Sequence, residues 1–241
     1  MRKESRMKKG AITVMLVCMG LLVGCTHQYN SGGSGGGGGS FEEGKEVEKE
    51  KEEESKPFED ILFTKGADGK IVFKVNDTKY WSVRGYTLWK FFGKEIDKKK
   101  PSIRVVKKSG ASEAGYGLVC YSTKTEVGQK KYRMLVVLIH TDGKFSVGYV
   151  TNGRYRNIEW KKASKRLAKG YGIANSISVK QEGRGIEIYF NDEGYKRKAE
   201  YKINNADEYA LGEGEAGVIA VISEKDKFPS ESVWIEYEAI R

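Results

Sequence analysis

The stretch Met134-Leu-Val-Val-Leu-Ile139-His-Thr-Asp142-Gly-Lys-Phe145-Ser-Val-Gly-Tyr149 decides the fold. Six consecutive apolar residues, two of them β-branched valines, are too few for a buried helix and suit a central strand covered on both faces. Asp142-Gly143 is a two-residue turn signal. The residues after it alternate, with Phe145, Val147 and Tyr149 on one face, and Asn152-Gly153 supplies the next turn. The same grammar spreads outward in both directions. Ile71, Phe73 and Val75 alternate after Asp68-Gly69, and Ile103, Val105 and Lys107 alternate less cleanly. Ile177 and Val179 lead to Gly183-Arg-Gly185, after which Ile186, Ile188 and Phe190 share a face opposite Glu187 and Tyr189. Glu193-Gly194 is a further turn; Val218, Ala220 and Ile222, then Val233, Ile235 and Tyr237, complete the series. Trp160 to Lys169 is the only piece that reads as helical. Roughly a dozen strands after residue 57 make the fold all-β, a two-sheet antiparallel sandwich or a barrel.

The chain before this domain has a different character. Arg2, Lys3, Arg6, Lys8 and Lys9 precede an uncharged run of 14 residues, Ala11 to Gly24. A bilayer-spanning helix needs about 20 apolar residues, so the run reads as the apolar core of an export signal. It ends in Leu22-Val23-Gly24-Cys25, which resembles the lipobox of bacterial lipoproteins. The resemblance implies transfer of a diacylglyceryl group to the Cys25 thiol, cleavage before Cys25 and acylation of the new terminus. Thr26 stands where enteric lipoproteins carry a retention aspartate, which favours an outer membrane or cell-surface location. Ser31 to Ser40 is a Gly/Ser coil, and Phe41 to Pro57 holds eight Glu and four Lys with little to bury. The chain therefore divides into a signal peptide (1–24), a lipidated cysteine with its tether (25–57) and a β-domain (58–241). As a flexible coil the 32 residues from Thr26 to Pro57 span about 30 Å.

Of the 241 residues, 43 are Lys or Arg and 33 are Asp or Glu, a formal net charge of +10. The β-domain itself carries +10, because the basic leader and the acidic tether cancel. Such a domain suits acidic polymers. Nucleic acid is set aside, since the chain is exported and carries no reading motif. The three cysteines leave only Cys120 in the domain, where no intrachain disulfide can form. It falls on the face of Tyr116 and Leu118 and reads as a small buried hydrophobe.

The order Tyr116-Gly-Leu-Val, Tyr132 to Ile139, Asp142 to Tyr149, Gly153 to Trp160, Gly170 to Ser178 and Gly185 to Asn191 resembles the concanavalin A-like jelly rolls, including bacterial laminin-G-like domains. Asn175, Ile177, Val179, Gly183 or Gly185, Ile188 and Asn191 follow that group's rhythm with small slips in spacing. The resemblance implies a jelly-roll sandwich and a glycan-binding sheet face. It also leaves open the calcium ion that some laminin-G-like domains hold at their rim, although the Asp-Gly pairs supply no EF-hand ligand set.

Chemistry is sparse. The glycosidase branch of the fold carries Glu-x-Asp-x-x-Glu on a strand, with retaining enzymes holding two carboxyls about 5–5.5 Å apart. The nearest sequences here are Glu187 to Asp192 and the pair Glu236 and Glu238 beside Trp234, which also read as a solvated edge. His140 follows an apolar strand and reads as structural; His27 lies in the tether. There is no zinc spacing, phosphate loop or Gly-x-Ser-x-Gly elbow. No catalytic, metal or cofactor residues are expected. Binding is the more natural role. Arg154, Arg156, Lys161, Lys162, Lys165, Arg166 and Lys169 crowd one segment with Tyr155 and Trp160. Guanidinium forks suit sulfate or carboxylate, and an aromatic plate can stack on a sugar. The segment also reads as a solvated lysine-rich loop. By analogy with the jelly rolls, Arg133, Glu187 and Tyr189 would line an open sheet face. The expected partners are the membrane through the lipid anchor and an anionic or neutral glycan. A carbohydrate-active hydrolase, or an assembly protein docked on an envelope or host protein, are the alternatives.

Overall fold

The computed structural model describes residues 62–76, 86–126, 129–151, 154–209, 211 and 214–240. The leader, Cys25, the tether and the Asn152-Gly153 turn lie outside them. Among the described residues thirteen strands make two sheets, with every pairing antiparallel. The seven-stranded sheet is built from β1 (Phe63–Lys65), β2 (Ile71–Val75), β13 (Val233–Ala239), β4 (Ser102–Ser109), β9 (Ala174–Glu182), β10 (Gly185–Phe190) and β11 (Tyr201–Ile203), in that spatial order. The six-stranded sheet is β3 (Tyr86–Phe91), β12 (Glu215–Ile222), β5 (Tyr116–Glu126), β6 (Gln129–Ile139), β7 (Lys144–Thr151) and β8 (Arg154–Ala163). This is the two-sheet antiparallel sandwich, one of the two architectures alternation allowed, and the jelly roll that the resemblance implied.

Between the sheets lies one core. Phe73, Ile103, Val105, Leu118, Cys120, Leu135, Val137, Ile139, Phe145, Ile177, Ile188, Phe190, Val218, Ile235 and Tyr237 are all buried in it. Phe145 packs on Phe190 with ring centroids 5.0 Å apart. These are the alternate residues of their strands, so period-two patterning is what closes the sandwich. The Tyr237 hydroxyl crosses the core to donate to the Ile219 carbonyl at 2.7 Å. Burial pushes the Cys120 thiol far above its ordinary pKa, so it stays a neutral filler.

A second apolar layer lies on the other face of the six-stranded sheet. Val119, Met134, Val136, Leu138, Val150 and Ile219 are buried there, with Trp89, Phe91, Tyr155 and Val221 packed against them. This accounts for the unbroken apolar run of β6: its odd residues face the core and its even ones this layer.

One expectation fails. Trp160 to Lys169 is not helical: β8 continues to Ala163 and a loop follows, 164–173. Edge pairing with β7 wins over the helix-like spacing. Lys144 pairs with Ala163 and Phe145 with Lys162, then the register shifts. Lys161 absorbs the extra residue at φ 47°. Beyond β8 the loop is pinned by the Ser164 N–H to Gly143 O (3.0 Å) and the Gly170 N–H to Thr141 O (2.8 Å).

Two asparagines that carried the jelly-roll resemblance complete this fastening. Asn191 Nδ2 donates to Arg166 O and to Asn175 Oδ1, while its own oxygen accepts the Ser176 N–H. Asn175 in turn bonds both the N–H and the carbonyl of Ala168. Together they tie β9 and the end of β10 to the loop.

Candidate functional site

The residues expected to bind fall in two places on opposite sides of the sandwich. Arg133 belongs to β6, and Arg154, Tyr155, Arg156, Trp160, Lys161 and Lys162 to β8, the edge of the six-stranded sheet. Glu187 and Tyr189 lie on β10 of the seven-stranded sheet. The three strand residues Arg133, Glu187 and Tyr189 therefore do not line one open face. Alternation could assign each to a side of its own strand, but it carries no information about which sheet the strand joins.

The β8 edge is where the cations and an aromatic meet. Arg154 and Arg156 are exposed, and neither makes an ion pair among the described residues. Trp160 is 50% exposed, with the Lys161 ammonium 5.5 Å from its ring centre. That arrangement sets a positive charge over one face of a half-exposed indole. Lys162 is partly occupied: it lies 3.3 Å from Glu159 and 5.4 Å from the Tyr201 ring centre. Arg166 is also engaged, by Glu200 at 3.3 Å and the Lys198 carbonyl at 2.6 Å. Tyr155 is different in kind. Its ring lies over Gly148, where an added Cβ would come within 2.4 Å of the hydroxyl, and it packs on the second apolar layer. Burial pushes its hydroxyl up to about 12. Tyr155 is thus a packing residue beneath the edge. Arg133 precedes Leu135, Val137 and Ile139 on the core-facing alternation of β6 and is half-buried.

On the other side, Glu187 is the hub of an ion network. It accepts from Lys202 and from the Tyr189 hydroxyl, and Lys180 approaches at 3.4 Å. Those donors, Lys202 first, hold its carboxyl down to about 2. A carboxyl so depressed cannot donate a proton near neutrality. Tyr189 is buried, its ring edge-on to Tyr195 at 5.0 Å. Glu236 lies 3.6 Å from Lys108, and Glu238 lies 3.6 Å from Arg104. A polar depression of about 390 Å³ is lined by Arg104, Ser176, Asn191, Asp192, Glu193 and Lys196. Three of its four charged side chains are engaged: Arg104 bonds Glu193 at 3.0 Å, and Asp192 accepts the backbone N–H groups of Lys196 and Arg197.

One constellation escaped the sequence reading. Ser146 Oγ lies 3.2 Å from His140 Nε2, and His140 Nδ1 lies 3.0 Å from the Glu113 carbonyl. Ser146 Oγ also accepts the Lys161 N–H at 3.0 Å, so its own proton goes to Nε2 while Nδ1–H donates to Glu113. The chain of bonds resembles a nucleophile and its base. Yet both side chains are buried, and burial pulls the His140 pKa down to about 4. It holds the β8 bulge against β7, the structural role expected of His140. Lys107 was also unexpected in its position: it is buried, donating to the carbonyls of Ala111 (2.5 Å) and Ala114 (3.0 Å). Among the described residues no group of three His, Cys, Asp or Glu could hold a metal, and no helix is long and apolar enough to cross a membrane.

No protein-family model matches the sequence, nor does any curated protein. Several solved structures are similar in fold. A carbohydrate-binding module from Bacillus subtilis is 13% identical, with 71% of this chain and 86% of that chain covered and a TM-score of 0.40. A β-glucanase from Bacillus licheniformis is 7% identical, covering 74% and 82%, with a TM-score of 0.39. Sheep galectin-11 is 9% identical, covering 66% and 98%, with a TM-score of 0.36. Similarity at these scores leaves function to be argued from this chain's own residues.

Proposed function

We propose that the chain is a lipid-anchored bacterial surface protein whose jelly-roll domain binds an anionic glycan, without chemistry, along the β8 edge. The observation that carries the binding reading is the grouping of Trp160, Lys161, Arg154 and Arg156 in solvent on one strand. An indole face stacks on the apolar face of a sugar ring, and guanidinium forks take up sulfate or uronate oxygens. The register shift within β8 sets Arg154 and Arg156 on the side of Tyr149 and Trp160 on the side of Ser146, so a linear polymer would wrap around the sheet edge to meet both. The non-catalytic reading is supported by the state of the carboxylates: Glu187, Glu236 and Glu238 each face a lysine or arginine.

The test is a glycan-array screen of the full chain at low and high salt. A salt-sensitive signal on sulfated or uronic glycans, weakened several-fold by Trp160→Ala and by Arg154→Ser with Arg156→Ser, is the expected result. Binding unchanged in those variants removes the β8 site. A salt-insensitive signal on neutral sugars removes the anionic ligand. Anchoring has its own test: mass spectrometry of the membrane fraction should find an N-terminus at Cys25 bearing acyl chains, and an unmodified Cys25 would end that reading.

A further inference from the structure

Three large apolar side chains are exposed among the described residues, and two of them, Tyr171 (46%) and Ile173 (41%), share the loop 164–173. Tyr171, Gly172, Ile173 and Ala174 form an unbroken exposed run. The run is held rigid from below. Tyr171 Oη donates to Gly110 O at 2.5 Å, the Gly172 N–H donates to Lys107 O at 2.8 Å, and Gly172 takes φ 74° with open space around it. Exposing apolar groups on a tip so firmly braced has a packing cost and no return within the domain.

Two lysines share the loop with the tip, while burial and then the carboxylates of Asp226, Glu113 and Glu231 raise the Tyr171 pKa. Lys165 and Lys169 are exposed and make no ion pair among the described residues. The carboxylates of the neighbouring loops are engaged: Asp142 with Lys144 at 2.6 Å, Glu113 with Lys225 at 3.2 Å, and Asp226 with the N–H groups of Ala111 and Ser223. Glu224 and Glu231, with Lys227 between them in sequence, are the exposed carboxylates of the adjoining loop 223–232.

The chain also enters the domain at this end. Phe63 pairs with Phe73, Phe73 with Ile235, and Ile235 with Lys107, which puts the start of β1 level with Lys107, whose carbonyl takes the Gly172 N–H. The turn Gly183-Arg184, between β9 and β10, lies at the opposite end of β9 from Ala174.

We infer that this end of the sandwich docks on the surface of an anionic bilayer, with Tyr171 and Ile173 in the headgroup layer and Lys165 and Lys169 above it. The inference rests on the reading of Cys25 as a lipid anchor. Tyrosine and apolar side chains favour the interfacial layer, and lysines are drawn to an anionic leaflet. A tether about 30 Å long would keep the tip at a local concentration on the order of millimolar, so individually weak contacts suffice. Docked this way, the arginine end of β8 points away from the membrane.

The experiment uses the full chain on phosphatidylcholine vesicles with and without phosphatidylglycerol. A nitroxide is placed at Ala174→Cys or, at the far end, at Arg184→Cys; the parent chain, with Cys120 buried, supplies the background. On anionic vesicles the label at 174 should be several-fold less accessible than that at 184 to a water-soluble nickel chelate. Lys165→Gln with Lys169→Gln should lower the docked-to-free ratio roughly thirtyfold, and high salt should weaken docking as well. Equal accessibility of the two labels while the chain stays on the vesicles overturns docking and leaves the anchor standing. Loss of the chain from the vesicles ends both. Equal shielding on neutral vesicles overturns the anionic surface.

Discussion

The two sheets share one core and differ on the faces they turn away from it. The six-stranded sheet carries a second apolar layer there, from Val119 and Ile219 across Met134 and Val136 to Val150. The seven-stranded sheet is laced with ion pairs: Arg104 with Glu193 and Glu238, Lys108 with Glu236, Lys180 and Lys202 with Glu187. Lys74 sits 4.8 Å from the Trp234 ring centre on that same face. Apolar layers gain stability from the area they remove from water, whereas exposed ion pairs contribute little because water and salt screen them. Stability should therefore be concentrated in one sheet and solubility in the other.

Truncating the apolar layer is the strongest way to break that contrast. Met134→Ala should cost about 2–5 kcal/mol in denaturant unfolding, the range for a buried methionine; a neutral result would mean that the layer is not packed. Two buried titratable groups come next. His140, at the polar margin of this layer, is held neutral by burial with a pKa of about 4. Between pH 6.5 and 4 the unfolded chain binds a proton that the folded one refuses, so stability falls as pH falls, by up to about 3 kcal/mol. His140→Gln should flatten that stretch of a melting-temperature profile. Lys107, at one end of the core, has its pKa lowered to about 8 by burial. Here the unfolded chain holds the extra proton between pH 8 and 10.5, so stability should rise with pH from 8 to about 10. Tyrosines whose pKa burial raises, such as Tyr195, oppose the rise above that. A flat profile in the wild type, or the same rise in Lys107→Met, would remove Lys107 as its source.

Gly148→Ala is a smaller and sharper probe. The new methyl meets the Tyr155 ring, and overpacking of this kind costs about 1–3 kcal/mol. The smallest effect belongs to the charged face, where Glu236→Gln should change unfolding by less than about 1 kcal/mol. A larger loss there would mean that the ion pairs on the outer face of the seven-stranded sheet act as a packed network.

Local patterning made most of this architecture legible. Alternation at Ile71 to Val75 and Val233 to Tyr237 marked core and outer sides correctly, and at Ile186 to Phe190 it marked the core side while Tyr189 on the other side is buried too, because a strand's period is a property of the backbone. The six-residue apolar run of β6 announced a strand covered twice. The segment from Trp160 misled, since Trp160, Ala163, Leu167 and Ala168 have helix-like spacing while their hydrogen bonds go to β7 and the 140–143 turn. The candidate site was legible only as composition. A cluster of cations is visible in a string of letters; that Lys162 and Arg166 are partly spent on Glu159 and Glu200, while Arg154 and Arg156 are not, depends on which strands lie side by side.

From sequence alone came the all-β class, the position of Cys25 at the end of an apolar run, the basic composition after an acidic segment and the burial of Cys120. Each follows from periodicity, charge or order along the chain, which are one-dimensional properties. Tertiary structure alone decided the rest. It placed Glu187 and Tyr189 on the sheet opposite β8, closed Ser146 and His140 into a buried pair, and gathered the chain's entry point with Tyr171 and Ile173 at one end. Those are relations between residues far apart in sequence, and only strand order and register specify them.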